Sequence, residues 1–238
     1  MKSSVQLWSF QKGRTKEDFE EILSLASQAG YDGVELLEHD VSADEMKKLL
    51  EKYNLYAKSA HISIKTFENK LEEMLEYHHK IGCEYVIIPI HLYDNPDDIE
   101  KVVNILNNAS KAAEKYGIKV GYHNHNHEFK KIGDKYIIDH LFEKTNENVI
   151  FELDVFWVYN GGEDPIEFIK KFGSRAELIH LKQSDENKKN VDLPDGIINM
   201  KEIINTAKYA KHFIVEQEEF EESSFKSCKK AADYLKKI

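Results

Sequence analysis

The 238-residue chain has few cysteines and prolines and no long apolar run. Its two cysteines, Cys83 and Cys228, stand in no metal-ligand spacing, and so small a number fits a cytoplasmic protein. No stretch reaches the roughly 18 uninterrupted apolar residues of a membrane span. The segment 1–8 also lacks an apolar core of signal-peptide length. We therefore expect a soluble, cytoplasmic protein with no membrane partner.

Positive charge is scarce as well. The only arginines are Arg14 and Arg175, no long run of lysine or arginine occurs, and the formal net charge is −10. Because nucleic acids are bound through basic surfaces that contact the phosphates, these features argue against a nucleic-acid partner. The hydrophobic fraction of 41% and the charged fraction of 32% are those of an ordinary globular protein.

Eight β-rich runs alternate with segments of helical periodicity. The runs cover residues 5–10, 33–37, 56–63, 85–91, 119–125, 149–155, 177–182 and 212–216. Regular β/α alternation without a break in composition predicts the α/β class, with a single (β/α)8 TIM barrel domain over residues 1–238. A doubly wound open sheet is the alternative. The first βα turn, residues 11–14, lacks the glycine-rich phosphate fingerprint of that fold.

A cluster of histidines follows the fifth β-rich run. His123, His125 and His127 fall within five positions, and Glu128 follows directly. Alternate residues of a strand share a face, so the three imidazoles start out pointing the same way. Imidazoles are poor core material because each ring carries two polar nitrogens. The pattern favours a metal or acid–base site at the end of a strand over a histidine-rich surface loop.

Other strand ends carry polar residues too. In a (β/α)8 barrel the catalytic groups come from the C-terminal ends of several strands. Isolated polar groups of this kind are costly to bury, but together they can converge on one site. Histidines and carboxylates in such a set suit one divalent cation, either Mn²⁺, Zn²⁺, Co²⁺ or Mg²⁺. The residues are Glu35, within strand two, and His61, His91, His123, His125, Asp154, His180, Lys182 and Glu216.

Six short segments, taken in order, resemble the sugar phosphate isomerase/epimerase family. These are the xylose isomerase-like TIM barrels, which also include inosose dehydratases and endonuclease IV. The matching segments are residues 5–9, 30–36, 121–125, 153–154, 179–182 and 215–217. The resemblance implies one divalent metal ion held by residues of strands five to eight. It places Asp154, His180 and Glu216 at three of these positions, and His123 stands where many relatives carry a glutamate.

A second departure concerns endonuclease IV. Related enzymes often carry a histidine three residues after the strand-six aspartate, where this chain has Trp157. Residues 183–196, which follow strand seven, contain no histidine. The three-zinc site of endonuclease IV therefore has no complete set of matching residues, and we do not expect DNA repair.

The resemblance implies a metal-dependent isomerase or epimerase that acts on a small sugar or keto-sugar through an enediolate. Glu216 is expected to serve as both metal ligand and base, as in related epimerases, with His125, Lys182 and Glu128 as candidates for the opposing acid or base. A lysine partly buried beside a metal has a lowered pKa, which we expect for Lys182. Alternatives are a lyase that dehydrates a keto-sugar or keto-inositol, and a non-catalytic barrel that binds a sugar or a metal.

The expected partner is a small carbohydrate, and a homodimer is possible. We favour a non-phosphorylated sugar or cyclitol, because the sequence shows neither a P-loop nor an arginine cluster. Glu35 could equally be a structural residue that forms a hydrogen bond under the site. Glu128 could equally cap its loop instead of contacting the substrate. The candidate substrate-binding residues are His61, Trp8, Glu35, His91 and Trp157.

Overall fold

Eight parallel strands close into a barrel in the computed structural model, which describes residues 2–11 and 15–238, without the side chain of Lys16. Each strand pairs with the next along the chain, and the last pairs with the first. The predicted (β/α)8 TIM barrel is confirmed. The strands are β1 Ser4–Gln6, β2 Gly33–Leu37, β3 Tyr56–His61, β4 Tyr85–Ile88, β5 Lys119–His123, β6 Ile150–Asp154, β7 Leu178–Leu181 and β8 His212–Val215.

Helices surround the barrel. Their starts carry side-chain caps, as at Thr15, which accepts a hydrogen bond from the Asp18 amide, and at Asn95 before the longest helix. Gly30 ends the first helix at φ 94°, a left-handed conformation that favours glycine. The helices are α1 Lys16–Ala29, α2 Ala43–Lys52, α3 Ile64–Asn69, α4 Leu71–Ile81, α5 Pro96–Ala113, α6 Ile137–Lys144, α7 Val155–Asn160, α8 Pro165–Phe172, α9 Met200–Thr206 and α10 Ser224–Leu235.

Two loops at the C-terminal side of the barrel carry small antiparallel hairpins. One pairs Lys131–Ile132 with Lys135–Tyr136 after β5, and the other pairs Gln183–Ser184 with Asn190–Val191 after β7. The periodicity of the sequence did not predict these hairpins, because two-residue strands are too short to show an alternating pattern. In the part of the chain that the structure describes, no helix is both long and apolar enough to cross a membrane.

Most barrel strands end earlier than the sequence predicted. The largest difference is in the first, where the expected strand 5–10 stops at Gln6 and Leu7–Phe10 form a 3₁₀ helix. The side chain of Gln6 accepts a hydrogen bond from the Trp8 amide at 3.0 Å and so turns the chain out of the sheet. The polar residues after the other strands likewise leave the sheet and enter the loops at the barrel mouth. Residues 12–14 of the first βα turn lie outside the described residues.

The barrel interior is filled in layers. Tyr85, Ile87, Ile150, Leu178 and Ile214 form a buried apolar cluster separate from the larger core between strands and helices. Since side chains two positions apart on a strand share a face, the next inward residues after Ile150, Leu178 and Ile214 are Glu152, His180 and Glu216. The apolar cluster is therefore the floor beneath a polar layer.

Substituting alanine for Gly121 is expected to destabilise the barrel. A Cβ atom at Gly121 would lie 2.7 Å from Cδ1 of both Ile87 and Ile150 and 2.9 Å from the Ile150 carbonyl oxygen. Overpacking of this kind costs about 1–3 kcal/mol, measurable as a lower free energy of unfolding in urea. The double variant G121A/I150V should lose less free energy of unfolding than its two single variants lose together, because valine lacks the Cδ1 atom that a Cβ at position 121 would meet. An unchanged unfolding midpoint for G121A would contradict this account of the interior.

Candidate metal centre

Four side chains from successive strands meet at the C-terminal end of the barrel. His123, Asp154, His180 and Glu216 are all buried, and they offer ligand atoms that lie within 4.8 Å of one another. His180 Nδ1 lies 3.5 Å from Glu216 Oε2 and 3.8 Å from Asp154 Oδ2. We call these four residues the outer group. They are the four residues in which the sequence predicted a metal site.

The spacing in the outer group is that of ligands around a cation. Ligand bonds of about 2.0–2.2 Å place neighbouring ligand atoms about 3–3.5 Å apart, close to the separations around His180 Nδ1. Both His180 Nδ1 and Asp154 Oδ2 are buried without a hydrogen-bond partner in the described chain. Buried polar atoms rarely lack a partner unless an ion or water supplies one. The outer group thus fits a divalent cation.

Local structure explains how Asp154 is aimed. It ends β6 and caps α7, where its Oδ1 accepts a hydrogen bond from the Trp157 amide at 3.1 Å. Asn124 Oδ1 accepts a hydrogen bond from the Asp154 amide at 3.0 Å, which ties the loop after β5 to β6. With Oδ1 engaged by the helix, Oδ2 is left for the outer group. Burial raises the pKa of Asp154 to about 7.

Beneath the outer group lies a second set of polar side chains at hydrogen-bond distances. His61 Nε2 is 2.6 Å from Glu152 Oε2, and His123 Nδ1 is 3.1 Å from the same oxygen. His180 Nε2 is 2.8 Å from Glu35 Oε2. Ligand atoms of four residues in this set also lie within 4.8 Å of one another, as they would around a metal ion. These residues are His61, His123, Glu152 and His180. Their nitrogen–oxygen separations are those of hydrogen bonds, so we interpret this set as a network that supports the outer group.

Lys182 is a fully buried ammonium beside the outer group. Its Nζ lies 2.7 Å from Glu218 Oε2, 3.4 Å from Glu216 Oε2 and 4.6 Å from the centre of the Trp157 ring. Burial alone would lower the pKa of Lys182, but the carboxylates of Glu216, Asp154 and Glu218 outweigh burial and raise it. In the chain without a cation the carboxylates thus act against the expected lowering, and a lowered pKa of Lys182 beside a bound metal stays a prediction.

Glu128 lies inside the loop that follows β5. Its carboxylate accepts hydrogen bonds from the Tyr122 hydroxyl at 2.6 Å and from the His125 amide at 2.9 Å. His127 Nε2 lies 3.0 Å from Glu128 Oε1 and 2.9 Å from the His91 carbonyl oxygen. These contacts shape the histidine-rich loop, and the suggested proton transfer by Glu128 stays a prediction.

A cavity of about 550 Å³ opens beside the outer group. His61, His123, His125 and Glu216 line it on the polar side, and its apolar lining includes Trp8. Its volume lies in the range typical of small-molecule sites, about 300–1,000 Å³. Predicted site residues from four strands or strand ends, those of β1, β3, β5 and β8, therefore surround one space.

The remaining predicted substrate-binding residues lie at the edge of this arrangement. Glu35 is fully buried below the cavity, held by a hydrogen bond from Gln6 Nε2 at 2.7 Å. The ring of His91 packs against Tyr93 with centroids 5.1 Å apart, and the ring of Trp157 lies 5.1 Å from that of His125. Contact of these three residues with a substrate stays a prediction.

Sequence analysis missed Glu152, Glu218 and Gln6. Glu152 stands two positions before Asp154 inside an otherwise apolar strand, so alternation places both side chains on one face. That signal was available in the sequence. Gln6 and Glu218 gave no comparable signal, because uncharged polar and exposed acidic residues are common at strand ends.

Comparison with known proteins agrees with the barrel fold. A family model described as xylose isomerase-like TIM barrel matches residues 23–238. Inosose dehydratase of Clostridium botulinum (strain Alaska E43 / Type E3) is 28% identical over 189 residues, which cover 69% of this chain and 63% of that protein. The match thus spans less than two thirds of the length of that relative.

Solved structures are similar over nearly the whole chain. A sugar phosphate isomerase/epimerase from Parabacteroides distasonis superposes with a TM-score of 0.82 at 26% identity, covering 98% of this chain and 93% of that one. The IOLI protein, whose crystal structure holds a zinc atom, has a TM-score of 0.74 at 15% identity, covers 99% of this chain and 96% of that one, and shows the fold alone. With a family model matching most of its length, the chain belongs to the xylose isomerase-like TIM barrel family.

Proposed function

We propose that this protein is a metal-dependent isomerase or epimerase of a small, neutral sugar or keto-sugar. The observation that carries the proposal is a pair of buried atoms, His180 Nδ1 and Asp154 Oδ2, that lack a hydrogen-bond partner in the described residues and lie 3.8 Å apart next to a substrate-sized cavity. The names of the similar proteins, a sugar phosphate isomerase/epimerase and inosose dehydratases, support a carbohydrate substrate.

His123, Asp154, His180 and Glu216 would hold the cation. When bound, a divalent cation there supplies Lewis-acid polarisation of a substrate carbonyl, which acidifies the neighbouring C–H bond. Imidazole and carboxylate ligands suit zinc as well as manganese or cobalt, and the zinc atom in the crystal structure of the structurally similar IOLI protein supports a metal cofactor.

Glu216 is the proposed base that removes the C–H proton. A base must reach the proton it takes, and Glu216 lines the cavity, whereas Asp154 is fully buried behind it. Burial would raise the pKa of Glu216, but Lys182 and His180 hold it well below its usual range. The carboxylate is therefore ionised and ready to accept a proton at neutral pH.

Lys182 and His125 are the proposed groups that donate a proton to the substrate or accept one from it, opposite Glu216. The raised pKa of Lys182 keeps it protonated, so it acts as a donor and as the counter-charge of Glu216. Burial lowers the pKa of His125 to about 4, so its imidazole is neutral at pH 7 and can accept a substrate proton or hydroxyl hydrogen bond. His125 lines the same cavity as Glu216.

A neutral substrate matches the charges of the cavity. Its lining includes the carboxylates of Glu38, Glu216 and Glu218 and one lysine, Lys65, and the buried Lys182 lies against Glu216 and Glu218. The lysines are thus largely engaged by carboxylates, and no described residue of the lining is an arginine, the side chain that binds phosphate in a bidentate manner. We therefore propose a non-phosphorylated sugar, keto-sugar or cyclitol.

A lyase reaction is the second candidate, because several inosose dehydratases are among the relatives. The first step would be the same removal of a C–H proton by Glu216. The outcome would differ in that a β-hydroxyl group leaves with a proton from Lys182, instead of the carbon regaining a proton.

The cation site can be tested directly. Purified protein is expected to bind one equivalent of Zn²⁺ or Mn²⁺ in isothermal titration. D154N should weaken binding by more than about 100-fold, since even outer-shell partners contribute about 10–100-fold. E186Q is a matched control, because Glu186 is exposed and no contact between its side chain and the outer group is found in the described residues. Equal affinity for D154N and wild type would argue against this site.

The chemical proposal can be tested by proton exchange. Incubated with a panel of neutral keto-sugars and inososes in deuterated water, the metal-loaded protein should exchange a C–H hydrogen for deuterium. The exchange rate of E216Q should be about 10²–10⁴-fold lower, since this is the usual contribution of a general base. The metal content of E216Q is measured as well, because Glu216 is also a proposed ligand. A product lighter by one water identifies the lyase. Exchange at the wild-type rate in E216Q rules out Glu216 as the base, and no exchange in wild type supports a non-catalytic barrel.

A further inference from the structure

Glu152 is a fully buried carboxylate directly beneath the outer group, and the proposed reaction does not use it. It lies on β6 two residues before Asp154, so its side chain faces the barrel interior one layer deeper. A carboxylate in such a place is costly unless donors engage it. Glu152 Oε1 has no hydrogen-bond partner in the described residues, so the contacts of Oε2 indicate what this residue does.

One oxygen of Glu152 faces three imidazole rings. Glu152 Oε2 lies 2.6 Å from His61 Nε2, 3.1 Å from His123 Nδ1 and 3.3 Å from His180 Nε2. An ionised carboxylate can only accept hydrogen bonds. Each of these three ring nitrogens must then carry the hydrogen. The second carboxylate of the layer, Glu35, lies 2.8 Å from His180 Nε2 and 3.2 Å from His61 Nε2, which is compatible with the same assignment.

Once the hydrogen is assigned to one nitrogen of a ring, the role of the other nitrogen is determined as well. In an imidazole with one N–H, a hydrogen on the nitrogen that faces Glu152 leaves a lone pair on the other. Burial lowers the pKa of His123, so its ring is neutral, whereas Glu152 and Glu35 outweigh burial and raise the pKa of His180 and of His61, which favours a second hydrogen on these two rings until a ligand replaces it. For His180 that other nitrogen is Nδ1, the buried atom without a partner that lies 3.5 Å from Glu216 and 3.8 Å from Asp154. For His123 it is Nε2, and for His61, which lines the cavity, it is Nδ1.

We propose that Glu152 is a positioning residue that fixes the hydrogen-bearing nitrogens of His61, His123 and His180. In this arrangement His123 and His180 present unprotonated nitrogens to the cation, and His61 presents an acceptor to a hydroxyl group of the substrate. The inference rests on the proposed metal site for its effect on affinity, whereas the assignment of hydrogens to ring nitrogens stands on the geometry of the inner layer alone.

Glu35 provides a matched comparison. Both glutamates are fully buried in the same layer, and both lie within 3.3 Å of His61 and His180. They differ at His123, which lies 3.1 Å from Glu152 Oε2, whereas no contact between His123 and Glu35 is found in the described residues. Changing Glu152 to glutamine should therefore alter all three histidines, and changing Glu35 to glutamine should leave His123 as it is.

The test measures the affinity for zinc and the tautomer of each of the three histidines. Long-range ¹H–¹⁵N spectra of metal-free wild type, E152Q and E35Q report which nitrogen of each histidine carries the hydrogen. We expect His123 with hydrogen on Nδ1 in wild type and E35Q, and a mixture of the two tautomers in E152Q. Zinc affinity of E152Q should fall about 10–100-fold, the usual effect of losing a group that orients a metal-bound histidine. E186Q should match wild type.

Two results would overturn the inference. One is hydrogen on Nε2 of His123 in wild type, which decides the matter even if E152Q does not fold. The other is a folded E152Q with wild-type tautomers and zinc affinity within about twofold of wild type. A wild-type protein that binds no divalent metal but shows the expected tautomers would refute the proposed function and leave the role of Glu152 in place.

Discussion

Everything at the active end of this barrel depends on the need to compensate buried charge. Glu35, Glu152, Asp154 and Glu216 bring four carboxylates into the interior, where an isolated ionised group is strongly disfavoured. Histidines face the deeper pair, and Lys182 together with His180 faces Glu216. The arrangement holds as one unit, because removing any member leaves a neighbour without its partner.

Within this unit the two layers behave differently. In the deeper layer Oε2 of each glutamate lies at ordinary hydrogen-bond distance from a histidine, as between His61 and Glu152, while Oε1 of Glu35 and of Glu152 has no partner in the described residues. In the upper layer His180 Nδ1 lies 3.5 Å from Glu216 Oε2 and 3.8 Å from Asp154 Oδ2, which leaves room for an ion, and burial raises the pKa of Asp154 to about 7. The proposed cation would supply positive charge at that point. The difference between the layers is the physical reason why the metal is expected at the C-terminal ends of the strands and not in the middle of the barrel.

Much of this could be predicted from the sequence, because its signals are local. The β/α alternation predicts the barrel, and the polar residues at the ends of apolar runs form a larger set of candidates. The family resemblance selects from them His123, Asp154, His180 and Glu216 as the metal site. The pattern was less informative where a strand ends. The expected first strand continued through Leu7–Phe10, which the Gln6 side chain instead turns into a 3₁₀ helix. Apolar residues in a 3₁₀ turn and in a strand give the same short pattern.

The sequence by itself determined the order of the elements and which side chains face the barrel interior, since alternation along a strand depends only on neighbouring residues. Only the tertiary structure determined which of these side chains contact one another. Closure of the barrel brings His61, His123 and His180 from three different strands to one oxygen of Glu152, and it surrounds Lys182 with carboxylates that raise its pKa. Such effects depend on distances between residues far apart in the chain, which the spacing of residues in one sequence does not contain.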